Sequence, residues 1–277
     1  MGQWFARYLK KEGHTLTITG RNQEKLDKIG SELGVKTATN IKAVQQADVI
    51  LISVPINTFK QVIQEIGQYI KPDQIIVDDT SIKALPVDIM HQYISSGITL
   101  GAHPVFGPGA KDMRQNFVLT PTTDNEQELA NRIKGYLESK GGNVTLMSPK
   151  EHDEMMAMVL GLAHFIAIVS ADSILSLNNF MQHKAIGGTT YRVLLTLIES
   201  VISEDAELYG SLQMSLPHLA NIQYNFIERA RYWANLVKTG DEQTFVKRMD
   251  DLREKLQQID PEFGKAYANM YRLVEGL

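Results

Sequence analysis

The chain has 277 residues, 43% of them hydrophobic, which is enough for one large domain or two of ordinary size. Its 28 basic and 32 acidic residues are mixed along the sequence and give a formal net charge of -4. Because no basic stripe is present, nucleic acid is not an expected partner. The absence of cysteine excludes disulfides, thiolate metal sites and cysteine nucleophiles.

Membrane association is not expected from the sequence. No apolar run approaches the roughly 20 residues that span a bilayer, and the N-terminus has no basic region followed by an apolar core and a cleavage site. We therefore expect a cytoplasmic protein without a membrane partner.

The first half of the chain alternates short apolar runs with amphipathic segments, which predicts strands joined by crossover helices in a mostly parallel sheet. Helices are predicted for GQWFARYLKKEG, NQEKLDKIGSELG, TFKQVIQEIGQYI and EQELANRIKGYLESKG. Asn22 is the predicted N-cap of the second of these. Strands are predicted for HTLTITG, ADVILISVP, QIIVDDTS, ITLGAHPVFG, NFVLTPT and NVTLMSP, and the uninterrupted run ADVILISVP is typical of a strand covered on both faces.

From Ser148 onward the pattern is helical, with long apolar-periodic segments and few turn residues. The segment EHDEMMAMVLGLAHFIAIVSADSIL is apolar around much of its circumference, which favours burial against other helices or a second subunit. We expect an α/β fold with a Rossmann-type, mostly parallel sheet domain over residues 1–149. An all-helical substrate-binding and dimerisation domain would follow over residues 150–277, in a homodimer.

The N-terminal stretch matches the later part of a dinucleotide-binding fingerprint, in which a strand and a G-x-G-x-x-G turn precede a helix and a second strand. Gly2 stands at the head of the first predicted helix, and the following strand ends at Gly20. The first strand and the first two glycines of the fingerprint are absent. We expect that the sequence starts about a dozen residues late and that Gly2 is the third glycine. The alternative is that Gly2 simply follows an initiator methionine.

The end of that second strand bears on cofactor choice. An acidic residue there would bind the ribose 2′-hydroxyl of NAD, whereas Arg21 suits the 2′-phosphate of NADP. Asn22 belongs to the same turn, and Lys25 would add charge one helical turn later. We therefore expect NADP, with NAD as the second choice; the alternative for Arg21 is a solvated loop residue.

Three further stretches, DDTSIK, GAHPVFGP and GGTTYR, concentrate polar groups at the ends of predicted strands, where open parallel sheets bind ligands. His103 is followed by Pro104 and by the Gly-Pro-Gly of residues 107–109. This predicts a rigid, exposed turn beside the nicotinamide position. Hydride removal from an alcohol carbon requires a base or hydrogen-bond acceptor there.

HPVFGP resembles the His-Pro-Met-Phe-Gly-Pro signature of the prephenate dehydrogenase family. In matching order and spacing, SVPI, DTSIK, EHDEMMA, GLAHF and TTYR are similar to other segments of that family. The resemblance extends from Gly2 to about Leu256. It implies NAD(P)-dependent oxidation of prephenate to 4-hydroxyphenylpyruvate, with release of carbon dioxide, in tyrosine biosynthesis.

The resemblance also implies roles for individual residues. His103 would accept a hydrogen bond from the substrate 4-hydroxyl, as neutral imidazole, and Ser81 would lie near both this histidine and the nicotinamide. For the substrate, Arg192 would bind a carboxylate, Lys83 would add positive charge and His164 would face the pocket. Val54 and Pro55 of SVPI would contact the cofactor.

Plainer interpretations stand beside these roles. Ser81 could be a helix cap, Arg192 part of a structural salt bridge, and His164 a core histidine with its hydrogen bonds satisfied. The pair His152-Asp153 matches the family without an assignable role. A metal site is rejected there because adjacent residues on a helix do not share a face, and none is predicted elsewhere.

Rival functions remain at this level. An arogenate dehydrogenase differs only in a substrate amine that replaces a ketone, and the sequence does not separate the two. A 3-hydroxyacid dehydrogenase or a deazaflavin-dependent NADP reductase would share the TGRN turn, but HPVFGP and TTYR argue against both. A regulatory or assembly homologue that has lost cofactor binding is the remaining alternative.

Overall fold

The computed structural model describes residues 1–276, and the chain divides into two compact units. The first comprises Met1–Met156 and Gly210–Pro217, and the second comprises Ala157–Tyr209 and the chain from His218 onward. Strands occur only in the first unit within this described range, so the prediction of an α/β part followed by a helical part is confirmed.

The elements of the α/β part alternate as the hydrophobic pattern predicts. In chain order they are α1 (Gly2–Lys11), β1 (Thr17–Ile18), α2 (Gln23–Leu33), β2 (Lys36–Thr37), α3 (Asn40–Gln46), β3 (Val49–Ile52), α4 (Ile56–Ile66), β4 (Ile75–Asp78), α5 (Ala84–Tyr93), β5 (Ile98–Pro104), β6 (Asn116–Thr120), α6 (Asp124–Ser139), β7 (Asn143–Leu146) and α7 (Pro149–Met156).

Five strands form one sheet in the order β3-β4-β5-β6-β7, and β1 and β2 form a separate parallel pair. Only the β5-β6 pairing is antiparallel among the strands described, so the mostly parallel sheet is confirmed. β3 is an edge strand, and its first residue, Val49, is 58% exposed. The expectation that ADVILISVP is covered on both faces is therefore wrong at this residue. The predicted late start of the sequence stays a prediction.

Two apolar clusters hold the α/β unit together. One joins β3 and β4 to α4 and α5 through side chains such as Ile52, Phe59 and Met90. The other joins β5, β6, β7 and α6, and the face of α1 that carries Trp4 and Tyr8 packs against it. Each fully buried side chain of this size contributes about 1.5–3 kcal/mol to folding.

The helical part contains α8 (Ala163–Leu175), α9 (Phe180–Ile186), α10 (Thr189–Ile202), α11 (Ala206–Ser215), α12 (Leu219–Thr239), α13 (Glu242–Ile259) and α14 (Ala266–Glu275). A π-helical segment, Ala157–Leu162, connects α7 to α8. The stretch GGTTYR opens α10 and follows no strand, so its predicted place at a strand end is wrong. Helical spacing in the apolar residues after it explains the difference.

The continuous helical stretch Pro149–Leu175 is long and apolar enough to cross a membrane by length and composition. The expectation that no apolar run reaches this length is therefore wrong. A core helix of a soluble protein passes the same test, so the stretch is weak evidence for a membrane. The expected absence of a membrane partner stays a prediction.

Candidate active site

The carboxyl ends of three parallel strands bring polar residues to one edge of the sheet. Ile52 pairs with Asp78, and Asp78 pairs with Gly101, so β3, β4 and β5 end side by side. Ser53 directly follows β3, and Asp79 directly follows β4. His103 is the second-last residue of β5. This is the edge at which open parallel sheets bind their ligands.

His103 does not lie in an exposed turn, as the Gly-Pro-Gly sequence after it predicts. It belongs to β5, pairs with Val118 of β6 and is 4% exposed; the exposed turn begins only at Gly107. Its Nδ1 is 2.8 Å from Nε2 of His152. Burial, with His152 and Lys83 nearby, lowers the pKa of His103 well below its usual 6.5. The imidazole is therefore neutral at pH 7, as its proposed role requires.

His152 is supplied by the first turns of α7, whose start has a capping box. Ser148 and Glu151 exchange hydrogen bonds, with Ser148 N donating to Glu151 Oε2 at 2.9 Å and Glu151 N donating to Ser148 Oγ at 3.3 Å. Pro149 occupies the first helical position, which suits its fixed φ. These local features fix the start of the helix one turn before His152 and Asp153.

Asp153 ties α7 to the start of α5. Its Oδ1 accepts hydrogen bonds from the backbone N–H of Lys83 and from His152 Nδ1, both at 2.7 Å. Its Oδ2 accepts the backbone N–H of Ala84 at 3.0 Å. A carboxylate at this position satisfies the free N–H groups of the helix and complements its dipole. Asp153, rather than Ser81, therefore caps α5.

The Lys83 side chain is not the free cation expected beside a dianionic substrate. It is fully buried, and its Nζ donates to Asp78 Oδ2 at 2.5 Å and to the backbone oxygen of Ala102 at 2.6 Å. Burial lowers the pKa of Lys83, and the charge of Asp78 opposes that change. The pair braces the end of β4 against β5. Ser81 lies in the turn between β4 and α5. It is half-buried and has no hydrogen-bond partner in the described structure.

A nicotinamide dinucleotide fits the residues at this edge. Gly2, at the head of α1, approaches Ser53 so closely that a Cβ at Gly2 would lie 3.1 Å from the Ser53 Cβ. Asp79 is 7% exposed, and its Oδ2 is fully buried without a hydrogen-bond partner. Burial raises the pKa of Asp79 to about 6. Buried polar atoms are normally hydrogen-bonded, so the Asp79 Oδ2 can accept a hydrogen bond from a ligand group such as an amide.

The end predicted to hold the adenosine ribose is open. Arg21 and Lys25 are both exposed, and neither forms an ion pair within residues 1–276. Asn22 caps α2 as predicted, since its side chain accepts the Lys25 N–H at 2.9 Å. Val54 follows β3 and packs on its apolar cluster, and Pro55 is the N-cap of α4.

The second unit contains the other two predicted substrate residues. Arg192 lies in the first turn of α10, is exposed, and its guanidinium has no ion pair in the part of the chain described, so the salt-bridge alternative is not observed. His164 Nδ1 is buried without a partner, and its ring meets that of Tyr209 edge-on at 4.7 Å. Burial lowers the pKa of His164. A satisfied core histidine is therefore not what the structure contains.

Other parts of the α/β unit offer less chemistry. A cavity of about 300 Å³ lies beside Ile98 and Thr99, at the start of β5. His103 is at the other end of this strand. No group of three or more His, Asp or Glu residues that could hold a metal occurs among residues 1–276.

Sequence reasoning missed the roles of Asp78, Asp79 and the His152-Asp153 pair. The stretch DDTSIK was predicted to lie at a strand end, where polar residues face the ligand edge, but its two aspartates were given no role. No local signal links His152 to His103, since the two are 49 residues apart and meet only through tertiary packing.

Two family models match the chain. One, described as "Prephenate dehydrogenase, nucleotide-binding domain", matches residues 5–146, and another, described as "Prephenate dehydrogenase, dimerization domain", matches residues 148–251. The first alone accounts for more than half of the chain.

Individual relatives agree with these matches. The chain is 33% identical over 256 residues to a Methanocaldococcus jannaschii protein named "Probable arogenate/prephenate dehydrogenase", covering 91% of this chain and 57% of that protein. It is 25% identical over 276 residues to the T-protein of Haemophilus influenzae, covering 96% of this chain and 67% of that protein. The chain thus spans about three-fifths of the length of these relatives.

Solved structures show the same fold. A prephenate dehydrogenase from A. aeolicus, in complex with hydroxyphenyl propionate and NAD+, has a TM-score of 0.76 at 19% identity, covering 94% of this chain and 95% of that one. The Synechocystis arogenate dehydrogenase has a TM-score of 0.68 at 18% identity, covering 92% and 95%. Fold, motifs and family matches agree, and the chain belongs to the prephenate dehydrogenase family.

Proposed function

We propose that this protein catalyses the NAD(P)-dependent oxidative decarboxylation of prephenate to 4-hydroxyphenylpyruvate, a step toward tyrosine. The observation that carries the proposal is the buried, neutral His103 at the ligand edge of the sheet. Membership of the family and the relative named for both arogenate and prephenate support it.

The reaction asks little of the protein in acid or base strength. A hydride leaves C4, with a bound nicotinamide as its acceptor, while the bond from the ring to its carboxylate breaks and its electron pair completes the aromatic ring. The hydroxyl hydrogen remains in the product as a phenol, so no net proton is released. His103 needs only to accept a hydrogen bond that strengthens as the 4-hydroxyl becomes more acidic in the transition state.

Other residues would hold the substrate and the cofactor. The planar guanidinium of Arg192 suits a carboxylate, and the unpartnered His164 Nδ1 is a polar group available to substrate.

The phosphate and nicotinamide end of the cofactor would lie against Gly2, Ser53 and Asp79, with Val54 and Pro55 beside it. Arg21 and Lys25 favour NADP over NAD through the 2′-phosphate. Ser81 and its unpaired hydroxyl are proposed to lie near His103 and the nicotinamide.

The direct test is to assay the purified protein spectrophotometrically for reduced cofactor, with prephenate or arogenate and with NAD+ or NADP+. Formation of 4-hydroxyphenylpyruvate from prephenate supports the proposal, whereas no turnover of either substrate with either cofactor contradicts it. Arogenate as the preferred substrate would establish the second candidate, which the name of the M. jannaschii relative includes beside prephenate.

Cofactor choice is tested with one variant and one control. Arg21→Ala should raise the KM for NADP about tenfold or more, because a charge-assisted contact is lost, and should leave the KM for NAD nearly unchanged. Lys28→Ala, at an exposed position on α2, the helix that follows Arg21, is the control. An equal effect of Arg21→Ala on both cofactors would contradict the assignment to the 2′-phosphate.

We also propose that the protein is a homodimer through its helical part. The match to a family dimerization domain over residues 148–251 supports this. So do the large apolar side chains exposed on those helices, among them Met181, Ile186 and Val237.

A further inference from the structure

Two hydrogen bonds link Asp153 and His152, both on α7, to the candidate catalytic histidine, His103. Asp153 Oδ1 is 2.7 Å from His152 Nδ1, and His152 Nε2 is 2.8 Å from His103 Nδ1. His152 is fully buried and Asp153 is 5% exposed. Neither residue has a part in the function proposed above.

The direction of these hydrogen bonds follows from Asp153. Its carboxylate already accepts two backbone N–H groups at the start of α5, so it offers only acceptor oxygens to His152. His152 must therefore carry a proton on Nδ1. In the neutral form of this histidine, Nε2 is then a bare acceptor, and the proton between the two rings belongs to Nδ1 of His103.

The same reasoning leaves Nε2 of His103 without a proton. This atom has no hydrogen-bond partner in the described chain, and it is not one of the polar atoms that are fully shielded from solvent without a partner. A neutral histidine held in this form presents a lone pair at Nε2. That is the state needed to accept a hydrogen bond from a substrate hydroxyl.

We propose that His152, oriented by Asp153, is a positioning residue that holds His103 in the tautomer with Nδ1 protonated and Nε2 free for the substrate. The proposal rests on the proposed function for the identity of the substrate, but the tautomer itself is a property of the free protein. Among the described residues, Lys83 is a further charge that acts on His103, and its Nζ donates to Asp78 Oδ2 on β4.

The primary test is ¹⁵N NMR of the imidazole nitrogens in the protein without substrate at neutral pH, with His103 assigned by its loss in His103→Asn. We expect a protonated, pyrrole-type Nδ1 and a bare, pyridine-type Nε2. In His152→Leu, which removes the acceptor, His103 should change to a mixture of tautomers or to the opposite one. A protonated Nε2 in the wild type, or an unchanged His103 in His152→Leu, would overturn the proposal.

Kinetics provide an independent readout. His152→Leu should lower kcat about 10²-fold, within the range that proton-transfer catalysis supplies, with little change in KM. His152→Gln should recover part of the loss, since its amide oxygen can accept the His103 N–H. His91→Gln is the control, because His91 also pairs with a carboxylate, Glu126, at 2.7 Å but lies outside the site. Equal kcat values for wild type and His152→Leu would contradict the positioning role.

A further variant keeps the proposal decidable if His152→Leu does not fold. In Asp153→Asn the side-chain NH₂ can donate to His152 Nδ1, which reverses the relay and places the proton on Nε2 of His103. The NMR signature should invert and kcat should fall. If the wild-type protein turned over neither substrate yet gave the expected ¹⁵N pattern, the proposed function would fail while the tautomer assignment stood.

Discussion

His103 shows how a single side chain is prepared by its surroundings. The sequence pattern predicted a reactive group at this position and placed it in an exposed turn, whereas pairing of β5 with β6 carries the strand through Pro104. That pairing removes the ring from water and brings it against a second histidine. Its basicity is therefore set by contacts with residues distant in sequence.

This burial predicts the pH dependence of turnover. Because the pKa of His103 is lowered well below 6.5, the neutral acceptor form persists at neutral pH and is lost only as the pH falls through the lowered value. We expect a kcat/KM profile, which reports groups of the free enzyme, that is flat at pH 6.5 and above and falls only at a pH well below 6.5. His103→Asn should lower kcat by about 10²–10⁴ with a modest change in KM, and His14→Asn, at an exposed position, is the control. An acidic limb centred above pH 6.5 would contradict the prediction.

Arg192 provides the second test at this scale. Arg192→Gln should raise the KM for substrate about tenfold to a hundredfold and change kcat little, because a charged hydrogen bond to a carboxylate is lost in ground and transition states alike. Steady-state kinetics measure this directly. Arg229→Gln, at another exposed arginine of the helical part, should leave KM near wild type. A KM for Arg192→Gln equal to that of the control would remove Arg192 from the substrate site.

At the scale of elements, the sequence predicted a helix cap whose contact lies within one turn of chain, but not a cap that depends on residues distant in sequence. Asn22 was predicted as the N-cap of α2 and does accept the Lys25 N–H, because this contact lies within one turn of chain. The cap of α5 was not predictable, since its carboxylate comes from Asp153, about 70 residues later. Nor was the pairing of Lys83 with Asp78, because burial of a charge depends on the whole sheet.

The start of α6 offers a test of such a tertiary contact. Glu126 is 3% exposed and accepts hydrogen bonds from Thr99, His91 and Thr122. Burial alone would raise its pKa, but these hydrogen bonds outweigh burial and lower the pKa below 4.5. The stabilisation is thus present above the unfolded pKa and is lost as the pH falls through the folded value.

Glu126→Gln should therefore reduce the free energy of unfolding at pH 7 by about 1–3 kcal/mol, since an amide NH₂ then faces hydrogen-bond donors. The difference from wild type should shrink in acid. Urea unfolding at pH 7 and at low pH measures both effects, with the exposed Glu128→Gln as the control. A loss of stability that stayed constant with pH would contradict the linkage argument.

At the scale of the whole molecule, the division into two compact units falls inside one continuous helical stretch. The first and longer segment of the first unit ends at Met156, and the π-helical segment begins at the next residue, Ala157. Segments of this kind often occur at functional sites. Hydrophobic periodicity predicted a helix across this region. It could not predict the wider turn, because the segment is apolar around much of its circumference and has no single apolar face whose shift would reveal an inserted residue.

The oligomeric state is the property of the whole molecule that is most directly measured. Light scattering after size exclusion should give twice the chain mass of 31.1 kDa, because the helical part exposes large apolar side chains of the kind that symmetric dimers bury. A mass equal to a single chain at micromolar concentration would contradict the dimer.

The cap that Asp153 places on α5 has a consequence for natural variation. Its partners at positions 83 and 84 are backbone N–H groups, so the contact does not depend on which side chain stands at Ala84. Any residue that replaces this alanine keeps the N–H donor, with proline as the exception, since proline alone lacks it. Two positions can thus be tightly coupled in space and yet show no covariation when homologous sequences are compared.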